Sequence, residues 1–119
     1  MRSLGDYYEE RAATLIQASG LHILARNFSR KTGEIDIVAL EGKCLVFLEV
    51  RVRNHFGYAG AAASVDRRKQ QRIIRTAQLY LRANPRWLDS PCRFDVMAFE
   101  PRQSNPECAA NWIRSAFIA

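Results

Sequence analysis

Gly33-Glu34-Ile35-Asp36-Ile37-Val38-Ala39-Leu40-Glu41-Gly42-Lys43-Cys44-Leu45-Val46-Phe47-Leu48-Glu49-Val50-Arg51-Val52 decides the architecture of this chain. Two apolar runs rich in β-branched residues flank Glu41-Gly42, so the stretch reads as a hairpin: strands over 34–40 and 43–52 around a two-residue turn. In that register Leu40 opposes Lys43, Asp36 opposes Phe47 and Glu34 opposes Glu49. Opposed residues share a sheet face and side chains repeat every second residue. Asp36 and Glu49 are therefore diagonal neighbours on one face, roughly 7–8 Å apart at their backbones. Arg51 follows on the same face. From Cys44 to Leu48 the second strand is wholly apolar, the pattern of burial on both sides. Two carboxylates buried together there cost several kcal/mol unless a cation or a proton compensates. Pairing with Arg51 or another basic residue, or solvent at the strand end, accounts for the same pattern without any function.

Outward from the hairpin, Leu4, Tyr8, Ala12, Leu15 and Ile16 recur at helical spacing, predicting a helix from Leu4 to Ser19 that stops at Gly20. Leu21 to Phe28 reads as the first strand, followed by the polar turn Ser29-Arg30-Lys31-Thr32-Gly33. Beyond the hairpin, Arg53 to Ser64 is rich in glycine and alanine and reads as a mobile loop. A second helix is expected from Val65 to Asn84, with Ser64 as its N-cap, Asp66 in its first turn and Pro85 ending it. Arg93 to Phe99 is a fourth strand between loops containing Pro91, Pro101 and Pro106, and Ala110 to Ile118 is the last. The order α-β-β-β-α-β-β predicts the α/β class: a mixed sheet flanked by helices, with strands three and four joined in parallel by a right-handed crossover through the second helix. At 119 residues, 1–119 forms one domain.

No window approaches the roughly 18 apolar residues of a membrane span. Met1-Arg2-Ser3-Leu4-Gly5-Asp6 lacks the apolar core of a signal peptide, so a cytoplasmic protein without membrane contact is expected. Cys44, Cys92 and Cys108 are odd in number and form no C-x-x-C, which argues for buried or half-buried free thiols rather than zinc or disulfides. The net charge is +6, yet Arg67, Arg68, Lys69, Arg72, Arg75, Arg82 and Arg86 give the segment 67–86 seven positive charges and no acid. Such a field attracts phosphates. A solvated face in a chain where Arg outnumbers Lys 15 to 3 carries the same pattern. Ile73, Ala77, Tyr80 and Leu81 form the core face of this helix, with Arg68, Arg72 and Arg75 opposite and Lys69 at the boundary beside the sheet.

Two carboxylates on adjacent strands suit Mg2+ (or Mn2+), which takes oxygen ligands and keeps several waters. The chemistry that fits is phosphodiester hydrolysis. Glu9, at the edge of the apolar stripe of the first helix, is placed to reach toward the sheet, whereas Glu10 points nearly opposite.

The run Glu9-x-x-Ala12, Arg26-Asn27-Phe28, Gly33-Glu34-Ile35-Asp36-Ile37-Val38-Ala39 and Val46-Phe47-Leu48-Glu49-Val50-Arg51-x-Arg53 resembles the YraN family of bacterial proteins. Phe56-Gly57, Val65-Asp66-x-x-Lys69, Ala77-Gln78-Leu79-Tyr80-Leu81 and Arg93-Phe94-Asp95-Val96 continue the likeness. The resemblance implies a restriction-endonuclease-like fold of the PD-(D/E)xK superfamily, similar to archaeal Holliday junction resolvases. It assigns Asp36, Glu49 and Glu9 to the metal and implies a nucleic-acid partner, DNA of branched or otherwise structured form. The residues themselves do not specify dimerisation; a homodimer enters only through the resemblance, since junction-cutting relatives of that fold work as symmetric pairs. Arg51 stands where that superfamily usually has lysine. It cannot act as a base, but it can contact the scissile phosphate and stabilise charge there. Arg53, Arg68, Lys69, Arg72 and Arg75 are the expected nucleic-acid contacts, and Lys69 is the candidate to supply an ammonium from the helix. Two alternatives stay open: a DNA-binding module of the same fold that does not cut, and an adaptor whose basic helix docks an acidic protein.

Overall fold

Ser3 opens the first helix through a capping box: its hydroxyl accepts the Asp6 N–H at 3.0 Å, and the Asp6 carboxylate accepts the Ser3 N–H at 3.3 Å. This computed structural model describes residues 3–53, 64–100 and 110–119. Most of the expected glycine- and alanine-rich loop, and also Pro101, Pro106 and Cys108, lie outside the described residues. Helix α1 (Leu4–Ala18) leads to the strands β1 (His22–Arg30), β2 (Gly33–Glu41) and β3 (Cys44–Val52). Helix α2 (Arg67–Ala83), a single 3-10 turn (Pro85–Trp87), β4 (Cys92–Phe99) and β5 (Asn111–Phe117) complete the order. The five strands form one sheet in the order β1-β2-β3-β4-β5, antiparallel except for the parallel pair β3–β4 across α2. The expected α/β class and mixed sheet are both present. Among the described residues no helix is long and apolar enough to cross a membrane.

Alternation along the strands splits the core into two layers. On one face Tyr8, Ala12, Ala13 and Ile16 of α1 pack on Ile37, Ala39, Val46, Leu48, Met97 and Phe99. On the other, Ile73, Ala77 and Tyr80 of α2 pack on Val38, Leu45, Phe47, Phe94 and Val96. Leu4, expected on the α1 stripe, is exposed one turn ahead of Tyr8. Thr76 joins the buried face of α2 because its hydroxyl is satisfied twice, by the Arg72 carbonyl at 2.8 Å and by Thr32 of the β1–β2 turn at 2.7 Å. That bond fastens the start of β2 to α2.

Two local expectations are corrected. The hairpin turn is Gly42-Lys43, since Glu41 pairs with Cys44 and Leu40 with Leu45. Gly42 takes a φ of 61°, a left-handed backbone that Glu41 would adopt only under strain and that suits the first central position of a hairpin turn. Each β2 residue therefore faces a β3 residue two further along than the expected register. The slip is even, so every side chain keeps its face. The second correction is the cap of α2. Asp66, in extended backbone, accepts the Lys69 N–H at 2.8 Å and starts the helix at Arg67, leaving Ser64 outside it.

One buried acid is structural. Asp95 on β4 is wholly buried and accepts from Arg93 Nε (3.1 and 3.2 Å), Trp112 Nε1 (3.0 Å) and the Ser115 N–H (2.9 Å). Replacing it with alanine leaves the half-buried Arg93 guanidinium with Glu41 alone, at 2.6 Å, and removes the acceptor of two further donors. Asp95→Ala is expected to lose about 3–5 kcal/mol in chemical denaturation.

Candidate active site

The paired register of β2 and β3 ends at Ile37↔Leu48, and continuing it one step sets Asp36 opposite Glu49. Here alternation breaks. Ile37 belongs to the α1-side core and Ile35 to the α2-side core, although they are two residues apart. β1 switches at the same level: Arg26 reaches Glu9 and Glu10 of α1, whereas Phe28 stacks edge-on against Tyr80 of α2. Between them Asn27 carries a φ of 53°. Asparagine tolerates this left-handed region better than most residues, and with it the strand turns over. In the β1–β2 register, which pairs Arg26 with Ile37 and Phe28 with Ile35, this turn-over falls opposite Asp36.

Asp36 is held there by its own chemistry: Oδ2 accepts the Val50 N–H at 2.7 Å, just past the end of the ladder. Desolvation, then the negative charge of Glu49, push its carboxyl up to about 8, against the Val50 hydrogen bond, with Glu9 adding a smaller push. Glu49 is only 4% exposed, and burial raises its carboxyl too. Lys69, a hydrogen bond from Asp36 and Arg51 act in the opposite direction on it. At neutral pH Asp36 thus retains its proton, while Lys69 and Arg51 favour the charged form of Glu49 against its burial.

Two cations address that charge at one oxygen. Lys69 Nζ lies 3.3 Å and Arg51 NH1 3.5 Å from Glu49 Oε2. The Asp66 cap sets the first turn of α2, from which Lys69 reaches β3, and Arg51 Nε donates to Ser64 Oγ at 2.8 Å. The other oxygen, Glu49 Oε1, is buried with no hydrogen-bond partner among the described residues. No N–H or hydroxyl among the described residues reaches it, which leaves the Asp36 carboxyl proton or a hard cation to satisfy it.

Glu9 comes from α1 to the rim of this group. Its side chain is 18% exposed, and its Oε1 accepts from Asn27 Nδ2 at 3.0 Å and lies 4.0 Å from Arg26 NH2. Asn27 also donates to Glu34 Oε2 at 3.4 Å. Arg26 bonds Glu10 as well, at 3.2 Å, so Glu10 shares the β1 side of α1 rather than pointing away from it. Among the described residues no three His, Cys, Asp or Glu side chains gather closely enough to hold a metal ion. Asp36 and Glu49 are the close pair. Mg2+ needs only one or two carboxylates, with water and phosphate oxygens completing its shell, so the pair fits such an ion, with Glu9 at its rim.

Arg68, Arg72 and Arg75 are exposed along α2, with no ion pair among the described residues. Arg67, Arg68 and Lys69 occupy the first turn, where the helix dipole disfavours cations; such a cluster costs stability and suits an anion brought from outside. Arg53 is half-buried at the end of β3, and burial, then the neighbouring Arg51, lower its guanidinium from the usual range. Asn27 is the site residue that the sequence reading passed over. Its signal is an asparagine, a residue depleted in strands, in the middle of one.

The model of a family described as "Uncharacterised protein family UPF0102" matches residues 8–99, which include every element of the site. The chain belongs to the UPF0102 family. A UPF0102 protein of Stutzerimonas stutzeri (strain A1501) is 48% identical over 117 residues, covering 98% of this chain and 95% of the relative. One from Pseudomonas savastanoi pv. phaseolicola is 46% identical over 113 residues, covering 95% and 91%. One from Alcanivorax borkumensis is 45% identical over 118 residues, covering 99% and 94%. The UPF0102 match thus spans α1 through β4, the elements that supply Glu9, Asn27, Asp36, Glu49, Arg51 and Lys69.

Proposed function

We propose that this UPF0102 protein is a divalent-cation-dependent nuclease of PD-(D/E)xK type that acts on structured DNA. The observation that carries this reading is the buried Asp36–Glu49 pair, with one Glu49 oxygen that no N–H or hydroxyl among the described residues reaches and two cations on the other. When bound, a divalent cation would supply positive charge against phosphoryl oxygens and acidify water. Asp36 and Glu49 are the residues that would hold it. To hold it, Asp36 would have to give up its proton, because ligating carboxylates must be ionised. Lys69 and Arg51 then stand beside the acids to orient a phosphate and to oppose charge growing on it. Lys69 also answers the departure at Arg51: an amine can exchange a proton with water and a guanidinium cannot. Arg53 and the row Arg68, Arg72 and Arg75 contact the backbone without reading sequence.

Purified protein incubated with branched, duplex and single-stranded DNA should cut the branched form in Mg2+ or Mn2+ and not in chelator. Asp36→Ala should lose that cleavage and keep the fold by circular dichroism. Cleavage unchanged in Asp36→Ala would remove the proposed chemistry.

A second reading rests on one observation. Glu49 Oε2 is already engaged by both Lys69 and Arg51, and Arg51 is anchored on Ser64. That arrangement also describes a DNA-binding module in which ion pairs have replaced the metal. Salt-sensitive binding of branched DNA without products in any divalent cation would select it.

A further inference from the structure

At the far end of α2 from the acids lies a crevice of about 320 Å³ that includes Lys43 of the β2–β3 turn, Arg86 and Trp87 of the 3-10 turn, and Asp89. The Arg86 guanidinium lies over the Trp87 ring, 4.5 Å from its centroid. Trp87 is half-buried against the α2-side core, while Lys43, Arg86 and Asp89 are exposed. The acid pair neither uses nor touches any of these residues.

A row of cations connects the two places. Arg68, Arg72, Arg75 and Arg82 follow one another at spacings of four, three and seven residues, which keeps them on a single helix face. All four are exposed. At a rise of 1.5 Å per residue, Arg68 and Arg82 are about 21 Å apart, the length of about six base steps. A strand whose phosphate lies at Lys69 and Arg51 and which follows this row arrives at Arg86 and Trp87. There the surface changes character. A flat stack of guanidinium on indole offers a π surface, and Asp89 sets one acceptor among the donors. That mixture matches a base with its amino edge better than it matches one more phosphate.

We propose that this crevice is a distal nucleic-acid subsite that takes an unpaired base, about six to eight nucleotides along the strand from the acid pair. The proposal rests on the nuclease-like reading above and adds to it a binding determinant: a duplex arm of that length ending in unpaired nucleotides. The charge of the arginine row selects the occupant, since a polyanion must lie along it. The Trp87–Arg86 stack selects its end.

The test uses fluorescence anisotropy in chelator, with the full chain and labelled hairpin duplexes of four, eight and twelve base pairs, either blunt or ending in three unpaired deoxycytidines, whose amino edge Asp89 can accept. Wild-type affinity should rise from four to eight base pairs and then level off, and unpaired ends should improve it three- to tenfold. Trp87→Ala and Lys43→Glu should each erase that preference for unpaired ends. Arg82→Glu should weaken all arms of eight base pairs or more and reduce the salt dependence by about one counterion. Lys43 is exposed in a turn, so its variant keeps the test decisive if Trp87→Ala does not fold. If Arg68→Glu and Arg72→Glu weaken binding while Trp87→Ala, Lys43→Glu and Arg82→Glu bind as wild type, the distal subsite is wrong and the nuclease-like reading stands. If the wild-type chain binds none of these nucleic acids, both fall together.

Discussion

Asp36→Asn is expected to stabilise the cation-free protein at pH 8 while removing at least a hundredfold of any metal-dependent cleavage. Asparagine keeps the shape and both useful contacts of the residue. Its Oδ1 can accept the Val50 N–H, and its Nδ2 can donate to Glu49, which otherwise obtains that hydrogen bond only from a protonated Asp36. What it removes is the cost of a second carboxylate beside a buried one. Relief of an uncompensated buried charge is worth on the order of 2 kcal/mol, or about 8 °C in Tm for a domain of this size.

The same pair sets a pH dependence. The folded Asp36 titrates at about 8 rather than at its ordinary 3.8, so between those values the native state binds a proton that the unfolded chain does not. Stability from this group is complete below the ordinary carboxylate range and is lost as the pH rises through about 8. Glu49 is shifted in the same direction and adds to the slope. Thermal denaturation of the wild-type chain in chelator should therefore show a Tm that falls from pH 5 to pH 8. Asp36→Asn should flatten that fall. Added Mg2+ or Mn2+ should raise the wild-type Tm most at pH 8, where little proton remains to be displaced. A Tm that rises with pH in chelator would show that the acids are compensated in some other way.

Lys69→Ala is the second substitution with a large expected effect. It leaves Glu49 buried with Arg51 alone, at 3.5 Å, as its cation. The expected cost is about 1–3 kcal/mol of stability, because a 4%-exposed carboxylate loses its nearer partner. Cleavage should fall by about a hundredfold or more, the usual consequence of deleting a group that opposes charge in the transition state. Arg51→Lys should behave differently: an amine in that position keeps a cation beside Glu49 and, on the PD-(D/E)xK reading proposed above, supplies the usual lysine, so cleavage should be kept or increased. Single-turnover assays on both variants, with circular dichroism to confirm folding, separate the two positions. Equal loss of cleavage in both would mean that neither cation has a distinct role.

Much of this arrangement was legible in the sequence, because sheets repeat every two residues. The observed hairpin turn lies one residue beyond the one the sequence predicts, a shift of two in register that keeps Asp36 and Glu49 on a common face. A slip of one would have separated them. Lys69 was legible for the analogous reason in a helix: the apolar face through Ile73, Ala77 and Tyr80 leaves it at the boundary, from which it reaches Glu49.

What escaped the reading depended on contacts between elements distant in sequence. Asn27 matters because its left-handed backbone turns β1 over and carries its side chain to Glu9 on α1. No local periodicity encodes that. Glu9 reaches the sheet as its helical position predicts, and Asn27 and Arg26 engage it at the rim of the acid pair. The cap of α2 was misplaced because Ser64 and Asp66 are both good capping residues. The contact of Ser64 with Arg51, from another element, leaves the cap to Asp66.

Crystals of the wild-type chain grown at pH 8 in Mn2+ test the exchange of a proton for a cation most directly. An anomalous peak about 2.1–2.2 Å from one oxygen of Asp36 and from Glu49 Oε1, with Glu9 more distant, is the predicted result. Density showing the two carboxyls still hydrogen-bonded to each other in saturating Mn2+, with no peak between them, would contradict it.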